Sequence, residues 1–342
     1  MKHLIHFLAL TLGITAGHAR AETFTPAMRS IVIEDAVRPM EAILWYPTAH
    51  GAPMQQVHRN GVWVGVEVAN DAQPMAGAHP LVILSHGMYG NARNQNWLAI
   101  ELVKAGYIVA SLNHPGTSTR ARDPDDARQI WERAKDVTRA IDSLLENADI
   151  RPNIDPARIF MAGHSLGGMT GAQLAGARYD PAQIDATCAT DPGALICEII
   201  ELWQLGKTPA DRAAIAQDLH EPRIKGFALL DPGASQVFSA QSLGAIRAPV
   251  LVIGAPKDAP GALDLNVEAR ALIAQLAPGN ATYIEPESLS HFDFLGLCTE
   301  RAIPILESET AGDGMVCVDG TNERVADHAI ITKAVIDFFA AQ

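Results

Sequence analysis

Short, unbroken apolar runs alternate with amphipathic stretches along most of this chain, and that alternation leaves few folds open. From residue 80 onward the runs "PLVILSHG", "YIVASLNHPG", "RIFMAGHS", "GFALLDPG", "APVLVIGAPKD" and "ATYIEPESLSH" each have the length of a strand. They carry too few polar positions to present a face to solvent. Helical patterns lie between them. "NARNQNWLAIELVKAG" closes at Gly106, and residues 125–148 place Ile130, Ala134, Val137, Ile141 and Leu144 or Leu145 on one stripe. A C-terminal helix is expected over about 323–340. Such an alternation predicts a mostly parallel sheet with helices on both faces and right-handed crossovers. Two strands, 28–35 and 40–47, are expected before it. A hairpin-like alternation follows, in which Val62, Val64, Val66 and Val68 share one face.

Ligands of such sheets bind at the carboxyl ends of the strands. That rule selects residues 86–89 and 114–117, Ser165, Asp231, Asp258 and His291. Residues 179–223 break the rhythm. They are too long for a connection and carry helical patterns of their own, "ALICEIIELWQL" and "PADRAAIAQDL", so they are read as a helical cap inserted over the sheet edge. The apolar residues of the first pattern are read as the core of that cap rather than a substrate surface.

One run ends in a special way. In "RIFMAGHSLGGMTG" Ser165 follows a strand pattern, precedes a small-residue helix and is flanked by Gly163 and Gly167. A serine on a strained strand-to-helix turn needs small neighbours two residues away on either side, and it presents its hydroxyl for attack. Gly168 and Gly171 are expected to let the helix pack close. A serine hydroxyl is a poor nucleophile at neutral pH. It needs a base, and the base needs an orienting acid. In this architecture the order is Ser, then Asp or Glu, then His. His291, in "SLSHFDFL" after the last strand, is the expected base. His86, His114 and His164 are read as shaping the site and His328 as packing. Asp258, which ends "VLVIGAPKD", is the preferred acid, and Asp231, which ends "GFALLD", is the alternative. Two main-chain amides, those of Leu166 and Met88, are the expected oxyanion donors.

The flanks of the chain bear on where it works. Lys2, an apolar stretch over 4–17 and Ala19 and Ala21 at small-x-small spacing predict a signal peptide over 1–21, cut after Ala21. Residues 22–342 are then a single folded domain, with no stable membrane span after cleavage. Removing Lys2 and Arg20, with no acidic residue lost, takes the formal charge from -13 to -15. That charge argues against nucleic acid as a partner. In an oxidising compartment the four cysteines allow three pairings. Shortest-loop closure selects Cys188–Cys197 and Cys298–Cys317. No C-x-x-C or adjacent histidine pair suggests a metal site, so no zinc is expected.

Taken together, "ILWYPT", "PLVILSHGMYGN", "SLNHPGTST", "MAGHSLGG", "LLDPG", "IRAPVLVIGAPKD" and "SHFDFL" resemble the α/β-hydrolase superfamily. Within it they are most similar to the bacterial dienelactone-hydrolase-like proteins related to platelet-activating-factor acetylhydrolases. The resemblance runs from about Met28 to the C-terminus. It implies an α/β-hydrolase fold, with a mostly parallel eight-stranded sheet, helices on both faces and an inserted helical cap. It also implies an esterase without cofactor or metal, with Ser165 as nucleophile, His291 as base and the Met88 and Leu166 amides as oxyanion hole. It leaves the acid open, because the acetylhydrolase branch places its aspartate where Asp231 stands and polyester hydrolases place theirs where Asp258 stands. True dienelactone hydrolases use cysteine as nucleophile, so their substrate is not inherited. The expected function is an exported, periplasmic or secreted serine hydrolase acting on a small-molecule or lipid-like carboxylic ester. The competing readings are an amidase or peptidase with the same triad, and an inactive binding protein on the same fold.

Overall fold

The computed structural model describes residues 24–342, so the expected signal peptide and its cleavage after Ala21 lie outside the described residues. The chain opens with four strands, β1 (Thr25–Ile33), β2 (Met40–Thr48), β3 (Gln55–Val57) and β4 (Val66–Asn70). Then come β5 (His79–Ser85), α1 (Asn96–Lys104), β6 (Ile108–Leu112), a small ribbon of β7 (Thr117–Ser118) and β8 (Ala121–Arg122), α2 (Pro124–Arg128) and α3 (Glu132–Glu146). β9 (Ile154–His164) runs into α4 (Leu166–Ala175). Three short helices follow: α5 (Pro181–Thr190), α6 (Leu195–Trp203) and α7 (Pro209–Ile215). The last third holds β10 (Ile224–Leu230), α8 (Ala240–Ala245), β11 (Val250–Ile253), α9 (Ala269–Gln275), β12 (Ala281–Ile284), α10 (Ala302–Glu309) and α11 (Thr321–Ala340).

The main sheet has ten strands in the order β12-β11-β10-β9-β5-β6-β2-β1-β4-β3. From β12 to β6 every pairing is parallel. β2 lies antiparallel to both β6 and β1, β1 is parallel to β4, and β3 closes the far edge antiparallel to β4. The eight-stranded expectation is therefore corrected to ten strands of mixed direction. The expected hairpin over residues 61–70 does not form as read. Gly65 takes φ +78 and breaks the alternation, leaving only β4 in the sheet, while Trp63 bridges to Cys298. A Cβ on Gly65 would lie 2.4 Å from Val57 O, so the turn requires glycine.

Alternation along each buried strand sorts the core into two layers. Leu81, Ile83, Met161, Phe227 and Leu229 face α3 and α4, which contribute Val137, Ile141, Met169 and Leu174. Val82, Leu84, Phe160, Ala228 and Leu230 face α1 and α11, which contribute Leu98, Leu102, Val335 and Phe339. Each residue of β5 and of β6 is buried, as strands covered on both faces must be.

Residues 179–223 hold α5, α6 and α7 between α4 and β10. Asp180 and Thr208 cap α5 and α7, each followed by a proline that starts the helix without sacrificing a hydrogen bond. A disulfide joins Cys188 of α5 to Cys197 of α6, and a second joins Cys298 to Cys317, the two pairings that loop length selected. A cavity of about 50 Å³ lies among these helices, lined by Ile184, Ile196, Ile200, Leu205 and Ile215. Burial of Ile196, Ile199 and Trp203 accounts for most of the apolar "ALICEIIELW" stretch as packing.

Candidate active site

β9 carries Ser165 to the carboxyl edge of the sheet. Its last residue, His164, is level with Leu230 of β10, so Ser165 and Asp231 leave adjacent parallel strands side by side. The main-chain N–H of Ser165 donates to Leu230 O at 2.9 Å. Ser165 stands at φ 54, ψ -116, a conformation that L-residues rarely adopt and that costs on the order of 1–3 kcal/mol. Its neighbours show why they are glycines. A Cβ on Gly163 would lie 2.1 Å from Gly167 O, and one on Gly167 would lie 2.0 Å from Ser85 O. Gly168 and Gly171 bring α4 against Pro232 and Leu229.

Asp231 follows β10 at once, at φ 42 and with no exposed surface. One carboxylate oxygen accepts from the Ala255 N–H at 3.1 Å, and the other accepts from His291 Nδ1 at 2.6 Å. That bond assigns the proton of a neutral His291 ring to Nδ1 and leaves Nε2 as the basic nitrogen. Asp258, the acid preferred from sequence, is exposed and makes no side-chain hydrogen bond or ion pair with a described residue. The structure thus pairs His291 with Asp231 and not with Asp258, the acid preferred from sequence. Four residues, 254–257, separate Asp258 from the end of β11 and carry it away, whereas Asp231 sits directly on its strand end. Strand-end register was the signal that could have decided between them.

His291 begins a 3-10 turn, His291–Phe294, closed by a capping box between Ser290 and Asp293. Asp293 is fully buried and accepts from Ser290 and from the buried guanidinium of Arg324 at 3.1 Å. Arg324 also donates to Gly296 O and Val316 O, which ties the histidine loop to the second disulfide. The ring of His291 lies 4.7 Å from that of His164, and its carbonyl accepts from His164 Nε2 at 2.8 Å. Burial, reinforced by His291, holds His164 neutral, with its pKa well below the usual histidine value. His291 is therefore docked on the residue that precedes Ser165. His291 spends Nδ1 on Asp231, and neither its Nε2 nor Ser165 Oγ is hydrogen-bonded to the other or to another described residue.

Two segments border the serine hydroxyl. Leu166 is the first residue of α4, and its N–H has no intrahelical acceptor. Gly87, just before Met88, passes so close that a Cβ there would lie 3.2 Å from Ser165 Cβ. On the other side, a Cβ on Gly233 would meet Leu195 at 3.1 Å, Leu263 at 3.2 Å and Ser165 Oγ at 3.8 Å. These two leucines make an apolar wall beside the hydroxyl. Leu195 opens α6, and at the other end of α6 Trp203 Nε1 donates to Tyr89 Oη at 2.8 Å. α6 thus reaches the loop that holds Met88.

Sequence reading passed over several buried charges that support these loops. Arg133 and Asp136 lie in α3 with almost no exposure, and Glu268 accepts from the Ala234 and Ser235 amides just beyond Asp231. Their signal was available: in α3, charged residues interrupt an otherwise apolar stripe. His328 stacks on Trp97 at 3.6 Å, the packing role expected of it.

A ferulic acid esterase from Streptomyces cinnamoneus superposes with a TM-score of 0.59 at 18% identity, covering 96% of this chain and 92% of that one. The chain has the α/β-hydrolase fold. The family model described as "Serine aminopeptidase, S33" matches residues 76–201 of the chain. Cutinase 2 from Thermobifida cellulosilytica is 30% identical over 101 residues, 29% of this chain and 35% of the relative. Cutinase from Thermobifida fusca (strain YX) is likewise 30% identical over 101 residues, 29% of each chain. The match thus spans about a third of these curated relatives. Among the described residues no helix is long and apolar enough to cross a membrane. No group of three or more His, Cys, Asp or Glu side chains among them is placed to hold a metal ion.

Proposed function

We propose that this chain is an exported serine hydrolase that cleaves carboxylic esters, with Ser165 as nucleophile, His291 as base and Asp231 as orienting acid. The observation that carries this reading is the 2.6 Å bond from His291 Nδ1 to buried Asp231, made by a histidine docked on the residue before a strained serine. Nε2 of His291 takes the Ser165 proton as Oγ attacks the ester carbonyl. The amides of Leu166 and Met88 stabilise the oxyanion. His291 then returns the proton to the leaving alcohol, and water activated by the same nitrogen releases the acid. Residues 22–342 act as one unit in this reading, with α5–α7 as the cap that borders the substrate. Export is supported by the leader pattern and the two disulfides. The names of the cutinase and ferulic acid esterase relatives favour esters; the name of the S33 family model favours an amide or peptide bond.

Matched p-nitrophenyl ester and p-nitroanilide substrates separate these bonds. The expected result is ester turnover that falls by about 10⁴-fold or more in Ser165→Ala, with little anilide turnover. Fluorophosphonate labelling should reach the native protein and disappear in the same variant. Anilide turnover at the ester rate favours the peptidase reading. Folded protein that neither labels nor turns over is a binding protein instead.

A further inference from the structure

The proposed oxyanion donor at Met88 belongs to a peptide group whose other end is held by a side chain outside the triad. His86 Nδ1 bonds Gly87 O at 2.7 Å, and Gly87 O is the carbonyl of the Gly87–Met88 peptide. The tautomer follows from a second contact: the main-chain N–H of His114 lies 3.2 Å from His86 Nε2. An N–H can only donate, so Nε2 is the acceptor and Nδ1 carries the proton. His86 therefore donates to Gly87 O, and the Gly90 N–H donates to the same oxygen at 3.1 Å. Burial, then the charge of Arg133, keeps the His86 ring neutral, well below the usual histidine pKa. The clamp continues beneath it. Arg133 Nη2 donates to His86 O at 2.5 Å and to Ser85 Oγ at 3.2 Å, while its other nitrogens reach Thr117 and Thr170. Arg133, His86 and His114 are all essentially without exposed surface, so none of them can touch a substrate.

Resting on the ester-hydrolase reading, we propose that His86, seated on Arg133, is a positioning residue that sets the plane of the Gly87–Met88 peptide and aims the Met88 N–H at the oxyanion. Two donors on Gly87 O fix the rotation of a planar group whose N–H points the opposite way. Polarising the carbonyl also strengthens the N–H as a donor, because linked hydrogen bonds reinforce one another. Glycine at 87 allows the plane to lie against Ser165, where a Cβ would intrude. The arrangement explains why a histidine is buried one residue before the loop with no route to solvent.

The test compares His86→Leu, which fills the space without a donor, with His86→Asn, whose amide can replace Nδ1–H. In His86→Leu, kcat/KM for p-nitrophenyl acetate should fall about 10²-fold, the scale of losing one oxyanion donor. Affinity for a boronic acid, which forms an anionic tetrahedral adduct on the serine, should fall in proportion. His86→Asn should recover to within about tenfold of the native enzyme. Hydrogen exchange at the Met88 amide, followed by NMR, should speed up in the leucine variant alone. A folded His86→Leu protein with native turnover and boronate affinity overturns the proposal, as does equal loss in both variants with a matching drop in melting temperature. If the native protein itself neither turns over esters nor labels, the functional reading fails separately. Met88 exchange then still decides whether the clamp exists.

Discussion

A carboxylate with no exposed surface must have its charge answered within the protein, and Asp231 has two answers, the Ala255 amide and the His291 ring. Asparagine in its place keeps the volume but presents an amide N–H₂ or a weaker acceptor to Nδ1, so the ring loses the tautomer that leaves Nε2 basic. Turnover in Asp231→Asn should fall by about 10⁴-fold, with circular dichroism unchanged, while exposed Asp258→Asn should turn over at the native rate. The opposite pattern would restore Asp258 as the acid. The backbone of Ser165 supports a second expectation. Glycine normally destabilises a structured site by about 0.5–1 kcal/mol relative to alanine. At φ 54, ψ -116 that order should reverse, so Ser165→Gly should melt above Ser165→Ala although both are inactive. A lower melting point for the glycine variant would show that the bend is not strained. What could be read of the site from sequence follows the same divide. The strained bend at Ser165 was legible because glycine spacing is local to a motif, and His291 could be nominated because it follows the last strand pattern. The choice between Asp231 and Asp258 was not, because it depends on the register of β10 against β9, which neither segment encodes alone.

At the scale of elements, the buried parallel strands were legible because burial on both faces leaves an unbroken apolar run that no surface segment shares. The far edge was not. β3 is three residues, "QQV", with two exposed glutamines and no periodicity to detect, and it is held by pairing with β4 rather than by its own composition. α6 poses a different question, since it reaches the site at both ends, through Leu195 beside Ser165 and through Trp203. Trp203 at the end of α6 hydrogen-bonds Tyr89, whose ring also packs edge-on against the indole at 5.8 Å and lies under the Arg122 guanidinium at 4.2 Å. Tyr89 is strained at φ 54 and follows Met88 directly. Trp203→Phe removes the hydrogen bond and keeps an aromatic ring. The loss in stability should be about 1 kcal/mol, measurable by urea titration. Turnover of bulky esters should fall more than turnover of acetate, because the α6 wall beside Ser165 is loosened while the triad is untouched. Equal effects across an ester series would separate α6 from substrate selection.

The molecule as a whole buries several histidines in neutral form, and this sets how its stability must respond to acid. His328 is the clearest. It is stacked on Trp97, bonded to Leu295 O at 2.9 Å and 8% exposed, and burial lowers its pKa to about 4. Unfolded, the same side chain titrates near its ordinary value of about 6.5. Between those two values the unfolded chain binds a proton that the folded chain does not, so the stability His328 contributes is complete above pH 6.5 and is lost as the pH falls toward 4. Each such group adds a slope of about 1.4 kcal/mol per pH unit in that window. His114, also brought to about 4 by burial, and His86 and His164, held well below 6.5, act in the same direction. Glu268 opposes them. Burial raises its pKa, so it favours the folded state only when protonated, and its contribution declines as the pH rises through its own range. Asp327, raised by burial as well, acts as Glu268 does, but with several histidines against these two carboxyl groups the unfolding free energy from urea titrations should still drop between pH 6.5 and 4.5. His328→Gln retains an amide donor for Leu295 O but cannot take up a proton. It should be less stable than the native protein at pH 7.5, through the lost stacking, yet show a slope shallower by about one proton. A slope unchanged by this substitution would mean that His328 takes up its proton as readily in the folded chain as in the unfolded one, and the acid response would then have to arise elsewhere.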